Sequence, residues 1–152
     1  EAAAMLRRAY DIARELGDRT EMAYALADLV RVETERGKLD EAAAALAESL
    51  PRATSAGIRV IVPLLLEGAG GLAAARGDDE AAVRLWAAAS TERAASGFAN
   101  MPADERLLDA KMAAVRARLD PSAFAVAWAD GTALTADEAV HQAMAVARGR
   151  SV

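Results

Sequence analysis

Apolar positions recur along this chain at intervals of three and four. Leu6, Tyr10 and Ala13 share one helix face, Leu26, Leu29 and Val30 a second, and Leu85, Ala88 and Ala89 a third. Glycine interrupts the pattern at Gly17, Gly37, Gly57, Gly77 and Gly97. A glycine just past a helix end supplies the left-handed residue that closes the last turn. Asp40-Glu41 and Asp79-Glu80 stand where the next helices begin, a favourable place for negative charge against the helix dipole. The pattern predicts helices only.

The predicted helices repeat. Glu1-Ala2-Ala3-Ala4-Met5-Leu6 returns as Glu41-Ala42-Ala43-Ala44-Ala45-Leu46, shifted by 40, and seven of the seventeen positions from Glu1 to Gly17 match those from Glu41 to Gly57. A third copy, Glu80-Ala81-Ala82-Val83-Arg84-Leu85, is shifted by 39 and runs on to Gly97. Between the copies lies a second helix type, Thr20 to Arg36 and then Val62 to Arg76. The expected organisation over 1–99 is a lone B helix (1–17) followed by two antiparallel A/B hairpins (18–57 and 58–97). One such hairpin cannot bury its apolar face alone, so these units stack.

Four prolines refine the boundaries. Pro63 fits the first turn of its helix, which makes Ile58 to Val62 an extended lead-in. Pro51 falls inside a B helix and should kink or end it near Leu50. Pro102 opens a different region, a helical cap over 100–152, whose first helix carries the stripe Leu108, Met112, Val115 and Leu119. Asp120-Pro121 reads as an N-cap and first helical residue. The short helix after it places Phe124 and Trp128 four apart as a plug for the open end of the stack, and Gly131 is expected to end it. Thr135 and Glu138 form a capping box for the last helix, which Gly149 closes.

Composition changes the picture in three ways. Aromatic residues are only 4% of the chain, so packing must come from close helix approach, and the abundant alanine favours helix throughout. Net charge is −5, which offers no basic footprint for nucleic acid. The absence of cysteine removes disulfides and thiolate chemistry and is compatible with a cytoplasmic location. Apolar runs such as Val60 to Leu66 are far shorter than the roughly 20 residues of a membrane span. A chain that starts at Glu1, already in helical register, reads as a piece of a larger protein.

The motifs Ala25-Leu26-x-x-Leu29, Gly37, Glu41-Ala42 and Leu46, followed by Leu65-Leu66-x-x-Ala69-Gly70, Gly77, Glu80-Ala81 and Leu85, resemble the tetratricopeptide superfamily in its forty-residue, MalT-type form. Gly70 aligns with the family's small residue, Val30 departs from it, and the family's aromatic positions are mostly missing. The C-terminal half, through Leu65 to Asp78, Phe124 to Gly131, Leu134-Thr135 and Glu138-Ala139-Val140, is similar to the end of the helical-repeat region in actinobacterial regulators. Those regulators join a nucleotide-binding module to LuxR-type or related DNA-binding domains. The resemblance implies a right-handed solenoid whose repeats receive an inducer or partner and restrain an ATPase switch.

By the tetratricopeptide register, the concave face should present Tyr24, Ala27, Arg31 and Glu35 from one unit and Leu64, Glu67, Gly71 and Ala74 from the next. That mixed strip suits a peptide or helix, although the same side chains could simply face solvent or flanking repeats. Gly68-Ala69-Gly70-Gly71 lacks the rest of a phosphate loop and reads as close helix packing. His141 is the only histidine and reads as a surface residue; Glu21, Glu33 and Glu35 read as the solvated side of a helix. Trp86 either fills a gap between units or marks an interface.

Three functions compete. The first is a protein-interaction or sensor segment of a larger bacterial transcriptional regulator, with no cofactor, metal, membrane or direct nucleic-acid contact of its own. The second is a stand-alone scaffold or homodimerisation module pairing through Met5, Tyr10 and Ile12. The third, an enzyme working through Glu67, has no companion nucleophile or base in the sequence.

Overall fold

The computed structural model describes residues 1–55, 57–97 and 101–149. Among these residues the chain forms eight α-helices and no strand: α1 (Ala2–Leu16), α2 (Arg19–Glu35), α3 (Leu39–Ser55), α4 (Val62–Ala75), α5 (Asp79–Ser96), α6 (Pro102–Arg116), α7 (Pro121–Ala133) and α8 (Ala136–Ala147). No helix among them is long and apolar enough to cross a membrane.

Side chains cap the starts of four of the eight helices. The Asp18 carboxylate accepts from the backbone N–H of Thr20 and Glu21 at 3.1 and 3.0 Å, and Asp78 accepts from Ala81 at 3.1 Å. Asp78 is therefore the cap of α5, with Asp79 its first helical residue. Asp120 caps α7, and the Thr135–Glu138 capping box is complete. The five glycines from Gly17 to Gly97 close their helices with φ between 68° and 86°.

Consecutive helices pack on one another from α1 through α3, and α4 packs on α5; α2 and α3 both rest on α4. Leu26, Val30, Leu46, Leu50, Leu65, Leu66, Leu72 and Leu85 fill the shared core. Trp86 is 1% exposed, and its indole N–H donates to the Glu67 carbonyl at 3.2 Å, so it fills the α4–α5 gap. Small residues make this approach possible. A Cβ on Gly70 would stand 2.5 Å from Trp86 Nε1, and one on Gly68 would stand 2.9 Å from Val30 Cγ1. Val30 of α2 thus occupies the space that Gly68 of α4 leaves free.

After residue 100 the packing changes. α7 lies on α5 rather than pairing with α6, and α8 folds back over α3, α4 and α5. Phe124 and Trp128 stack at 6.2 Å with 9° between rings, and the Arg116 guanidinium lies 4.2 Å above Phe124. Arg76 Nη1 donates to the Val146 carbonyl at 2.6 Å, which ties α8 to the end of α4. Arg118, just past α6, forms a two-point contact with Asp79, 2.7 Å on each side.

Several local expectations need correction. Of the two outcomes expected at Pro51, a kink or an end, the end does not occur: α3 runs through Pro51 to Ser55, with Pro51 exposed and Leu50 and Ala53 on either side of it buried. Ile58 to Val62 is not extended: Arg59–Ile61 is a 3-10 turn whose Ile61 N–H donates to the Ile58 carbonyl at 3.1 Å, satisfying backbone that is being buried. Gly131 does not end α7. It sits inside the helix, buried, where a Cβ would overlap the Arg84 backbone and the Ala87 side chain of α5. Glu33 is not solvated: it is 1% exposed, paired with Arg7 of α1 and, at 3.0 Å, with Arg36. Burial of such a carboxylate requires charged partners.

Candidate ligand cavity

Each of three helices turns one stripe toward a common space. α2 contributes Tyr24, Ala27, Asp28 and Arg31, α4 contributes Leu64, Glu67, Gly68 and Gly71, and α6 contributes Asp104, Leu107, Leu108 and Lys111. Every stripe has the spacing i, i+3, i+4, i+7, which keeps its residues on one helical face. Between them lies a partly enclosed cavity of about 390 Å³, completed by Thr34, Val60, Arg93 and Met101.

Six of the eight residues expected on the concave face line this cavity: Tyr24, Ala27, Arg31, Leu64, Glu67 and Gly71. The other two do not. Glu35 stands outside the lining and accepts from Lys111 Nζ at 3.5 Å, while Ala74 packs against the core. The expectation also stopped at two helices, whereas α6 closes the third side. A signal for this was present in the numbering. Adding 40 to Leu64, Glu67, Gly68 and Gly71 gives Asp104, Leu107, Leu108 and Lys111. The spacing of the lining residues keeps its step of 40 into α6, although the motif residues around it do not recur.

The walls are largely apolar, and most charges are already partnered. Arg31 lies 3.4 Å from Asp28 and 3.8 Å from Glu35. Lys111 shares Glu35, and Arg93 grips the Glu67 carboxylate through Nε at 3.2 Å and through Nη2. Arg93 and Glu67 are only 17% and 15% exposed, so this pair is shielded more than the others. Asp104 is the exception: among the described residues its carboxylate has no ion pair and no side-chain hydrogen bond. Tyr24 is 36% exposed and lines the cavity. His141 is exposed on α8 and is not part of the lining.

A second surface feature lies on α1. Met5, Ile12 and Leu16 are 67%, 48% and 78% exposed, while Tyr10 is half-buried and donates its hydroxyl hydrogen to Glu48. Burial, then the hydrogen bond to Glu48, raises the Tyr10 pKa above that of an ordinary phenol.

Comparison with protein-family models, with curated proteins and with solved structures gives no match.

Proposed function

We propose that this chain is a non-catalytic sensor segment of a larger bacterial transcriptional regulator, in which the cavity between α2, α4 and α6 receives the signal. On this reading α2/α3 and α4/α5 are two hairpins of a tetratricopeptide-like right-handed solenoid of the MalT type, in a LuxR-class or related regulator of the cytoplasm. α7 and α8 seal the stack, and ATP and DNA are handled by domains outside these residues. The observation that carries the proposal is the convergence of three equally spaced stripes on one mixed polar and apolar cavity of about 390 Å³. Small-molecule sites have this character: concave, mostly apolar, about 300–1,000 Å³, with a few placed polar groups. Arg31, Arg93 and Lys111 are engaged by neighbouring carboxylates, and no nucleophile stands beside a base in the lining, which favours binding over catalysis.

A fragment screen read by amide chemical shifts tests this. Ligands should perturb Ala27, Leu64, Gly71 and Leu108 together, because these four share the cavity wall. Hits that map only to other surfaces would overturn the assignment, and tight ATP binding by these 152 residues would count against a non-nucleotide sensor.

The exposed apolar side chains of α1 favour a second reading, a homodimer through that helix. It requires a concentration-dependent dimer in sedimentation that Leu16→Glu dissolves. A monomer at every concentration removes it.

A further inference from the structure

We infer that the ligand of this cavity is a small aliphatic ammonium ion, an organic molecule with one protonated amine on an apolar body. The inference rests on the reading of the cavity as a ligand site and adds the chemistry of the occupant. Four observations lead to it.

The first is size. A cavity of about 390 Å³ lies toward the small end of ligand sites. With α6 occupying the third side, no room remains for a helix, whose diameter with side chains is about 10–12 Å. The second is charge. Among the described residues, Arg31, Arg93 and Lys111 are matched by Asp28, Glu35 and Glu67, and the charge left over is the carboxylate of half-buried Asp104. The N-terminus of α6 offsets part of it, about half an elementary charge. An ammonium group supplies the remainder through a charge-assisted hydrogen bond. An anionic ligand would compete with an existing carboxylate for its arginine or lysine and would meet Asp104 as well.

The third observation concerns the walls. Leu64, Leu107 and Leu108 offer an apolar bed, and Tyr24 lines the same space with a ring type whose face attracts cations. The fourth is Gly71. Packing explains Gly68 and Gly70, since a Cβ on either would press into Val30 or Trp86. At Gly71 a Cβ would meet nothing nearer than Lys111 Nζ at 3.9 Å. A glycine inside a helix costs stability relative to alanine. The residue at 71 thus keeps volume open in the cavity where no neighbour demands it.

Calorimetric titration of the whole 152-residue chain with n-hexylamine, n-hexanoate and n-hexanol near neutral pH tests the assignment. The amine should bind at least about tenfold more tightly than the acid, with the alcohol between them. Asp104→Asn should reduce the amine to the level of the alcohol while leaving the alcohol unchanged. Gly71→Leu, which fills the cavity and favours helix, should abolish binding of all three without lowering thermal stability. A capped Leu-Lys-Leu tripeptide carries the same ammonium on a peptide and should bind more weakly than the free amine. Equal or tighter binding of the tripeptide would overturn the small-molecule assignment. If amine, acid and alcohol bind equally and Gly71→Leu abolishes all three, the ammonium assignment falls and the cavity remains a ligand site. If the amine still binds Gly71→Leu undiminished, or none of the three probes binds, the cavity reading falls with it.

Discussion

Gly70 and Gly71 are neighbours in one helix, yet they serve opposite ends. A Cβ on Gly70 would meet Trp86 Nε1 at 2.5 Å and the Ala82 carbonyl at 3.1 Å, so α4 and α5 close on each other there with no space to spare. One residue on, about 100° around the helix, Gly71 faces the cavity and α6 stands off. The same amino acid permits contact on one side of α4 and leaves the cavity open on the other. Glycine content alone therefore does not reveal whether a helix interface is closed. The distance to the facing atoms does.

The largest way to break this contrast is to remove the side chain that fills the closed side. Trp86→Ala should cost about 3–5 kcal/mol, read as a lower midpoint in chemical denaturation. A loss below about 1 kcal/mol would mean that the α4–α5 interface collapses onto the void. A paired substitution comes next. Gly70→Ala should destabilise by about 1–3 kcal/mol through overpacking, net of any gain in helix propensity. Gly71→Ala should stabilise by about 0.5–1 kcal/mol because the gain meets no opposing contact. Equal signs for the two would end the distinction between the faces.

The smallest effect concerns α8, which buttresses the closed side by packing on α3, α4 and α5. The Thr135 backbone N–H, then its hydroxyl, hold the Glu138 carboxyl below its ordinary pKa. A carboxyl whose folded pKa is lowered contributes its full stability above the ordinary carboxylate range and loses it as pH falls through the lowered value. Melting temperature should therefore decline toward acid more gently in Glu138→Gln than in the parent chain, with the two curves farthest apart near neutral pH. Parallel curves from about pH 6 to pH 3 would show that the charge on Glu138 adds nothing to the buttress.

What was legible in the sequence depended on how local its cause was. The helix ends at Gly17, Gly37, Gly57, Gly77 and Gly97 come from one residue's backbone freedom, and the Asp120 and Thr135 caps from side chains within three residues of their partners. Most of the A-helix stripes also emerged, since their spacing is a property of a single helix. Gly131 misled because a glycine inside a helix is explained only by what approaches it, here the backbone of α5 at Arg84. Glu33 misled for a similar reason: its partner Arg7 is 26 residues away, on a helix whose packing angle no local pattern encodes. The third wall of the cavity was missed because Met101-Pro102 looks like a break in the array, while the numbering across that break keeps its step of 40.

The equal spacing of the five closing glycines, one every 20 residues from Gly17 to Gly97, acts as a ruler. Each helix with its connection consumes the same length of chain, so residues 24, 64 and 104 arrive on alternate helices, α2, α4 and α6, where all three line the cavity. A single inserted residue in the middle of α4 would leave a good helix but turn everything after it by about 100°. Gly70 would then be carried off Trp86 and the groove stripe off its cavity together. The tolerance of this chain to substitution and its tolerance to insertion should therefore be very unequal, with length held more strictly than identity between one glycine and the next.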